Sequence, residues 1–146
     1  MKNKVILLVE DNPSDIELTI RAFARSHITN ELVVARDGKE ALDYLLGDGK
    51  LDGKARDDYP TVILLDIKLP KVDGLEVLRQ IRENENTRRL PVVMLTSSNE
   101  EQDVATSYDH GVNSYIRKPV DFNQFVESIQ QMGLYWLVIN EPPPLD

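Results

Sequence analysis

The sequence has no cysteine, no long apolar run and no excess of basic residues, and each absence narrows the class of protein. Without cysteine, the chain can form no disulfide, no cysteine-ligated zinc site and no thiol nucleophile. No apolar run approaches the roughly 20 residues that a membrane-spanning helix needs. Glu10 and Asp11 interrupt the first apolar segment too early for a signal peptide. We therefore expect a cytoplasmic protein that makes no membrane contact.

The charge balance is acidic. Lysine and arginine number 17 against 25 aspartates and glutamates, which gives a formal net charge of −8. Nucleic-acid binding needs a basic surface to neutralise phosphates, so we expect no nucleic-acid partner. An excess of carboxylates instead suits a protein that gathers acidic side chains around a divalent cation. The length of 146 residues fits one compact domain.

Short apolar runs alternate with stretches of helical spacing. The runs are Val5–Val9, Leu32–Ala35, Val62–Leu65, Val92–Leu95 and Ser114–Ile116. Three of them are continuous and rich in β-branched residues, as expected for strands that are covered on both faces. A strand–helix unit that repeats five times predicts an α/β fold with a doubly wound, five-stranded parallel sheet and helices on both faces.

The helical spacing also predicts which side chains enter the core. In the first helix, Ile16, Ile20 and Phe23 recur on one face. The fourth predicted helix, from residue 99 to 110, is weaker, and Tyr108 is one of its few apolar anchors. The polar, glycine-rich residues 47–58 predict an exposed loop, and the proline-rich residues 140–146 predict a flexible tail. We therefore expect one domain over residues 1–139.

Acidic residues follow two of the predicted strands. Strand one is followed by Glu10 and Asp11, and strand three by Asp66. In a doubly wound sheet of order 2-1-3-4-5, an order that we adopt and do not derive, ligands bind between the carboxyl ends of these two strands. Three carboxylates would then meet in one crevice, where their mutual repulsion needs a compensating charge. A hard divalent cation is the natural answer, and magnesium is the ion that binds through few carboxylates together with phosphate oxygens.

Lys118, just beyond strand five, could supply a second positive charge from the other side of the crevice. An aspartate flanked by a cation and a lysine can attack phosphorus and form an acyl phosphate. Each signal alone has an ordinary explanation. An acidic pair after a strand is more often a helix cap, and a lone Lys-Pro usually marks a turn. The coincidence of these signals at several strand ends is what favours a phosphoryl site.

The motifs, in this order along residues 5 to 132, resemble the receiver domains of two-component signalling. The flavodoxin-like strand order 2-1-3-4-5 is part of that resemblance. The resembling positions are the acidic pair Glu10-Asp11, the phosphoacceptor Asp66 within Leu64–Gly74, the hydroxyl residue Thr96, the aromatic residue Tyr115, and the pair Lys118-Pro119, which often has a cis proline.

The resemblance implies a role for each of these residues. Asp11 and Asp66 would bind Mg²⁺ directly, Glu10 mainly through water, and the backbone carbonyl of Lys68 would complete the protein ligands. Lys118 would hold the phosphoryl oxygens and Thr96 would move in to bond one of them. Tyr115 would then turn inward, which changes the surface of helix four, strand five and helix five. The phosphoryl donor would be a sensor histidine kinase or a small acyl phosphate, and the protein would catalyse only its own phosphorylation and dephosphorylation.

A closer subgroup is indicated by two features. The region between helix two and strand three is longer than in an ordinary receiver, and the segment Met132–Leu137 lies at the end of the last predicted helix. Both resemble the small regulators that partner bacterial phytochromes. The apolar segment Tyr135–Ile139 after helix five also suggests a homodimer through helix five and this extension, while the alternative is that Trp136 folds back over its own domain.

Two other function classes remain to be weighed. Haloacid-dehalogenase-type phosphatases also use a strand-end aspartate with magnesium, but they need a second aspartate two residues later, where this chain has Lys68. The serious alternative is a binding module that keeps the receiver fold but does not respond to phosphate.

Overall fold

The computed structural model describes residues 5–28, 30–51, 54–56, 58–96, 108–117 and 122–139. The strands are β1 (Val5–Val9), β2 (Glu31–Ala35), β3 (Lys50–Leu51), β4 (Lys54–Ala55), β5 (Val62–Leu65), β6 (Val92–Thr96) and β7 (Ser114–Arg117). The α-helices are α1 (Pro13–Arg25), α2 (Gly38–Leu46), α3 (Gly74–Glu83) and α4 (Phe122–Leu134), and a π-helical turn, Tyr135–Ile139, follows α4.

Five strands form one parallel sheet in the order β2-β1-β5-β6-β7. Because β3 and β4 pair only with each other, β5, β6 and β7 are the third, fourth and fifth strands of the main sheet. The predicted order 2-1-3-4-5 is therefore confirmed. In the register, Val9 lies opposite both Ala35 and Leu65, so β1, β2 and β5 end side by side at the carboxyl edge of the sheet.

Successive residues of each strand enter two separate cores, because side chains alternate across a strand. Leu7, Ile63 and Met94 point to the face that α2 and α3 cover, while Leu8, Leu64 and Val93 point to the face that α1 and α4 cover. The central strands are buried on both sides, which explains their continuous apolar sequences. Helices on both faces of the sheet are thus confirmed. Among the described residues, no helix has the length and apolar character that crossing a membrane requires.

In α1, the core-facing side is not quite the one that the apolar spacing predicts. Asn12 caps the helix by accepting hydrogen bonds from the Ser14 and Asp15 N–H groups, and Pro13 occupies the first turn. Ile16 and Phe23 are buried as predicted, but Ile20 is exposed. Thr19 is buried in its place, since its hydroxyl donates to the Asp15 carbonyl at 2.8 Å and so remains hydrogen-bonded. The prediction for Ile20 was wrong.

The predicted exposed loop over residues 47–58 contains structure. The two residues of β3 pair antiparallel with the two of β4, and Leu51 is buried beneath α2 in the core. Arg56 ties the hairpin down, because its Nε donates to the Tyr44 carbonyl at 2.9 Å and its guanidinium lies 4.0 Å from the ring centroid of Tyr59. A single buried leucine and one arginine therefore hold a segment whose composition is that of a loop.

Most of the fourth predicted helix, and the tail at 140–146, lie outside the described residues. Its described end, Tyr108–Asp109, is helical, but Tyr108 is exposed and the prediction that it anchors the core was wrong. Gly111 ends the turn with φ +88°, a conformation that glycine adopts without strain. In α4, which corresponds to the fifth predicted helix, Phe125, Val126 and Ile129 are buried.

Arg82, at the end of α3, joins three segments at the amino edge of the sheet. Its guanidinium donates to the carbonyls of Gly111 (2.8 Å), Arg88 (3.1 Å) and Leu90 (2.7 Å) and to the Asn113 side-chain oxygen (2.8 Å). The same Asn113 oxygen accepts from the Val92 N–H at 2.8 Å. Burial lowers the pKa of Arg82, but four acceptors keep its hydrogen bonds satisfied. We call this arrangement the arginine clamp.

Candidate functional site

The carboxyl edge of the sheet brings Glu10, Asp11 and Asp66 together. Glu10 and Asp66 each follow the last residue of paired parallel strands, so the register alone places them side by side. Backbone hydrogen bonds fix both positions. The Glu10 N–H donates to the Ala35 carbonyl at 2.9 Å, and the Asp66 N–H donates to the Val9 carbonyl at 3.1 Å. The predicted meeting of the three acidic residues is therefore observed.

The geometry of this acidic cluster fits a small divalent cation. One carboxylate oxygen from each residue lies within 4.8 Å of the other two, and within the described part of the chain no other group of three acidic or histidine side chains is so close. Glu10 and Asp66 are only 1% and 8% exposed, whereas Asp11 is open to solvent. Negatively charged oxygen donors, two of them buried and the third open to solvent, suit a hard cation such as Mg²⁺. Their roles as ligands remain predictions.

The loop from Ile67 to Asp73 connects Asp66 to α3. Its first residue, Ile67, is fully buried, while Lys68, the predicted carbonyl ligand, is exposed. The end of the loop returns close to its start. The Gly74 N–H donates to the Ile67 carbonyl at 2.8 Å, and a Cβ atom on Gly74 would lie 2.0 Å from the Asp66 carbonyl oxygen. Glycine at position 74 is therefore required for the position of Asp66.

Sequence reasoning missed two residues beside the site, Lys71 in the middle of this loop and its partner Asp37 at the start of α2. The Lys71 Nζ lies 3.3 Å from the Asp37 Oδ2. Asp37 caps α2 by accepting from the Glu40 N–H at 2.8 Å. Burial raises the pKa of Asp37, but the Glu40 N–H, Lys71 and the Lys39 N–H outweigh that effect and hold it below its usual value. The sequence signal for this contact was Asp37-Gly38, a helix cap followed by glycine.

Three further predicted site residues belong to β6, β7 and the segment after β7. Tyr115 lies in β7 opposite Met94, and its half-buried side chain packs against the core on the α2–α3 face. Thr96 is the last residue of β6, and its side chain lies outside what the structure describes. Lys118 and Pro119 also lie outside the described residues. The roles of Tyr115, Thr96 and Lys118, and the cis proline, stay predictions.

A doubly wound sheet with an acidic cluster at the carboxyl ends of its first and third strands defines the class of protein. The family model of the response regulator receiver domain matches residues 6–130, and the chain belongs to that family. Receiver domains are signalling switches that interact with sensor histidine kinases. The prediction that the chain is a receiver domain of two-component signalling is therefore confirmed.

Two curated relatives are similar along most of their length. The chain is 43% identical over 139 residues to the probable methanogenesis regulatory protein FilR2 of Methanothrix harundinacea, an alignment that covers 95% of this chain and 87% of the relative. It is 41% identical over 134 residues to the response regulator Rcp1 of Synechocystis, with 92% and 89% covered.

Solved structures agree with the fold. The phosphorylated cyanobacterial phytochrome response regulator RcpA superposes with a TM-score of 0.86 at 40% identity, over 98% of this chain and all of that one. The Mn²⁺-bound form of Rcp1 gives 0.83 at 40% identity, over 97% and 99%. The bacteriophytochrome response regulator RtBRR gives 0.76 at 56% identity, over 98% and 86%. The similarity to the Mn²⁺-bound form, together with the acidic cluster, indicates a divalent metal site.

Proposed function

We propose that Asp66 accepts a phosphoryl group in the presence of Mg²⁺ and that the chain signals through the resulting change of its surface. The observation that carries this proposal is the convergence of three carboxylates at the carboxyl edge of the sheet, where the Asp66 N–H is bonded to the Val9 carbonyl. A phosphate-independent binding module has no need of this cluster, whose mutual repulsion costs stability.

The reaction transfers the phosphoryl group to a carboxylate oxygen of Asp66. This oxygen attacks phosphorus as the bond between phosphorus and the donor breaks. The leaving atom, which keeps the electron pair of that bond, is the imidazole nitrogen of a kinase phosphohistidine or the carboxylate oxygen of an acyl phosphate. Asp11, Asp66 and the Lys68 carbonyl would hold Mg²⁺ directly and Glu10 mainly through water, and the bound ion would offset the negative charge of the phosphoryl oxygens. Lys118 holds a phosphoryl oxygen from the opposite side.

The protein catalyses this transfer, and the later hydrolysis, only on itself. In the phosphorylated state, Thr96 bonds a phosphoryl oxygen and Tyr115 turns inward. The partly exposed position of Tyr115 against the core on the α2–α3 face supports this assignment, because a half-buried ring can change its exposure without opening the core.

The upstream partner that we propose is a phytochrome-type sensor histidine kinase. The support is the similarity, at 40% identity or more over nearly the whole chain, to structures of regulators described as phytochrome or bacteriophytochrome response regulators. Phosphotransfer assays with a phytochrome-type kinase and with a kinase of another class test this assignment, and transfer should be faster from the phytochrome-type kinase. Equal transfer from both would contradict the assignment.

We also propose that the chain forms a homodimer through α4 and the apolar segment that follows it. Leu134 is 56% exposed and Tyr135 47%, although both are large apolar side chains. Sedimentation of Leu134→Ser should show a weaker dimer than wild type. Ile20→Ser is the matched control, because Ile20 is 46% exposed but lies on α1. A monomeric wild type, with or without phosphorylation, would contradict the proposal.

Intact-mass measurement after incubation with acetyl phosphate tests the main proposal. Wild type should gain the mass of one phosphoryl group only when Mg²⁺ is present, and Asp66→Asn should gain none. Asp73→Asn is the matched control, because Asp73 lies at the end of the same loop and its side chain makes no capping hydrogen bond. No adduct from acetyl phosphate and none from any kinase would favour the phosphate-independent module.

A further inference from the structure

The loop after Asp66 contains a strained turn that its own sequence does not explain. The Val72 N–H donates to the Pro70 carbonyl at 2.8 Å, and Lys71 between them has φ +67°. A hydrogen bond between residues two apart around a positive φ is a γ-turn of the rare, strained kind. Such a conformation in a residue other than glycine persists only where neighbouring contacts hold it.

The contacts that hold this turn come from the start of α2. Lys71 is 63% exposed as a side chain, but its Nζ reaches Asp37, whose side chain is 9% exposed. Asp37 is itself fixed as the cap of α2. Beside it, the Gly38 N–H donates to the Pro70 carbonyl at 3.4 Å, and a Cβ on Gly38 would lie 2.0 Å from the Val72 carbonyl oxygen. The turn therefore rests directly on the α2 terminus.

We propose that Asp37 and Lys71 act as a positioning pair that holds this loop in place and thereby raises the affinity of the acidic cluster for a divalent cation. The loop follows Asp66 directly, and Lys68 lies within it. A shift of the loop therefore displaces the proposed ligand carbonyl of Lys68 and pulls on the chain beside the carboxylate of Asp66. The inference rests on the proposed function in one respect only, namely that the acidic cluster is the site that binds the cation.

An effect of charge alone and an effect of loop position predict different changes in cation affinity for the two substitutions. Removal of the positive charge at Lys71 should strengthen cation binding if only the long-range field matters, and removal of the negative charge at Asp37 should weaken it. A positioning role predicts that both substitutions weaken binding. Because both depend on one contact, the double variant should be no weaker than the more affected single variant.

Mn²⁺ titration followed by electron paramagnetic resonance tests this pattern. We expect Lys71→Met and Asp37→Asn each to raise the Kd for Mn²⁺ about two- to five-fold, the range of a partly exposed ion pair. Asparagine keeps the capping oxygen of Asp37, so α2 should stay intact. Lys39→Met is the matched control, because the Lys39 ammonium pairs with Asp43, one turn further along α2, at 2.8 Å. In Lys39→Met, the Kd for Mn²⁺ should change only by the small amount that loss of one positive charge produces.

Amide hydrogen exchange of the metal-free protein gives a second, independent readout. The Val72 and Gly74 N–H groups should exchange faster in Lys71→Met and Asp37→Asn than in wild type and Lys39→Met. Tighter Mn²⁺ binding by Lys71→Met, or unchanged exchange in both variants, would overturn the positioning pair. A wild type that binds no Mn²⁺ would overturn the proposed function instead, and exchange alone would then decide whether the pair holds the loop.

Discussion

The two edges of the main sheet differ in how their charged side chains are arranged. At the carboxyl edge, three carboxylates lie within 4.8 Å of one another. At the amino edge, the guanidinium of Arg82 donates to four neutral oxygens from neighbouring segments. The first arrangement costs stability and suits an external cation, while the second joins parts of the chain and stabilises the fold. Function and stability are therefore separated along the length of the strands, and substitutions at the two edges should separate them experimentally.

The largest effect on stability is expected at the amino edge. Arg82→Met keeps most of the apolar stem but removes the donor to three backbone carbonyls and one of the two donors to the Asn113 oxygen. It should lower the free energy of unfolding by about 3 kcal/mol. Urea unfolding measures this change. The Kd for Mn²⁺ should stay that of wild type.

The matched control for this substitution is Arg79→Met on the same helix. Arg79 is charged and partly exposed, and it pairs with Glu76 and Glu83 on the surface of α3. Its substitution should shift the urea midpoint much less, because water already screens these pairs. Equal shifts for the two arginines would contradict the importance of the arginine clamp.

The opposite result is expected at the carboxyl edge. Asp11→Asn removes one of three like charges, so it should raise the free energy of unfolding of the metal-free protein by about 1 kcal/mol. The same variant should bind Mn²⁺ at least about ten-fold more weakly, as expected for loss of a charged ligand. Thermal unfolding with and without Mn²⁺ measures both effects. A less stable Asp11→Asn would show that the cluster is not under electrostatic strain.

The smallest effect concerns pH and the exposed face of α3. Hydrogen bonds from Arg79 and then Gln80 lower the pKa of Glu76 to about 2, from an ordinary value of 4.5. A lowered pKa means that Glu76 stabilises the fold fully above its unfolded-state pKa and loses this contribution as pH falls through its folded-state value. The difference in urea midpoint between wild type and Glu76→Gln should therefore be small at pH 6 and vanish as pH falls toward 2. A difference that grew in acid would contradict the assignment.

Much of the fold and the central part of the site could be predicted from the sequence. The continuous apolar runs identify buried parallel strands because both faces need cover. Glu10, Asp11 and Asp66 follow two of those strands directly, so the sheet order is enough to bring them together. The apolar periodicity predicted the wrong buried residue in α1, where Thr19 is buried instead of Ile20. Thr19 can be buried because its hydroxyl donates a hydrogen bond to the Asp15 carbonyl of the same helix.

The positions that were missed depend on contacts between residues far apart in sequence. Arg82 looks like any charged residue near a helix end, and its role exists only because Gly111 and Asn113 approach it. Lys71 likewise looks like a turn lysine until α2 brings Asp37 beside it. In the hairpin of β3 and β4, Leu51 alone carried a signal, and one apolar residue is too little to outweigh a glycine-rich composition.

The π-helical turn after α4 has a practical consequence. Trp136 is the only tryptophan of the sequence. It packs against the core on the α1–α4 face, and its ring centroid lies 4.9 Å from that of Tyr135, edge to face. Tryptophan emission from the unmodified protein therefore comes from a single fluorophore at the end of α4. A shift in its wavelength would report rearrangement of this end of the molecule, without any dye.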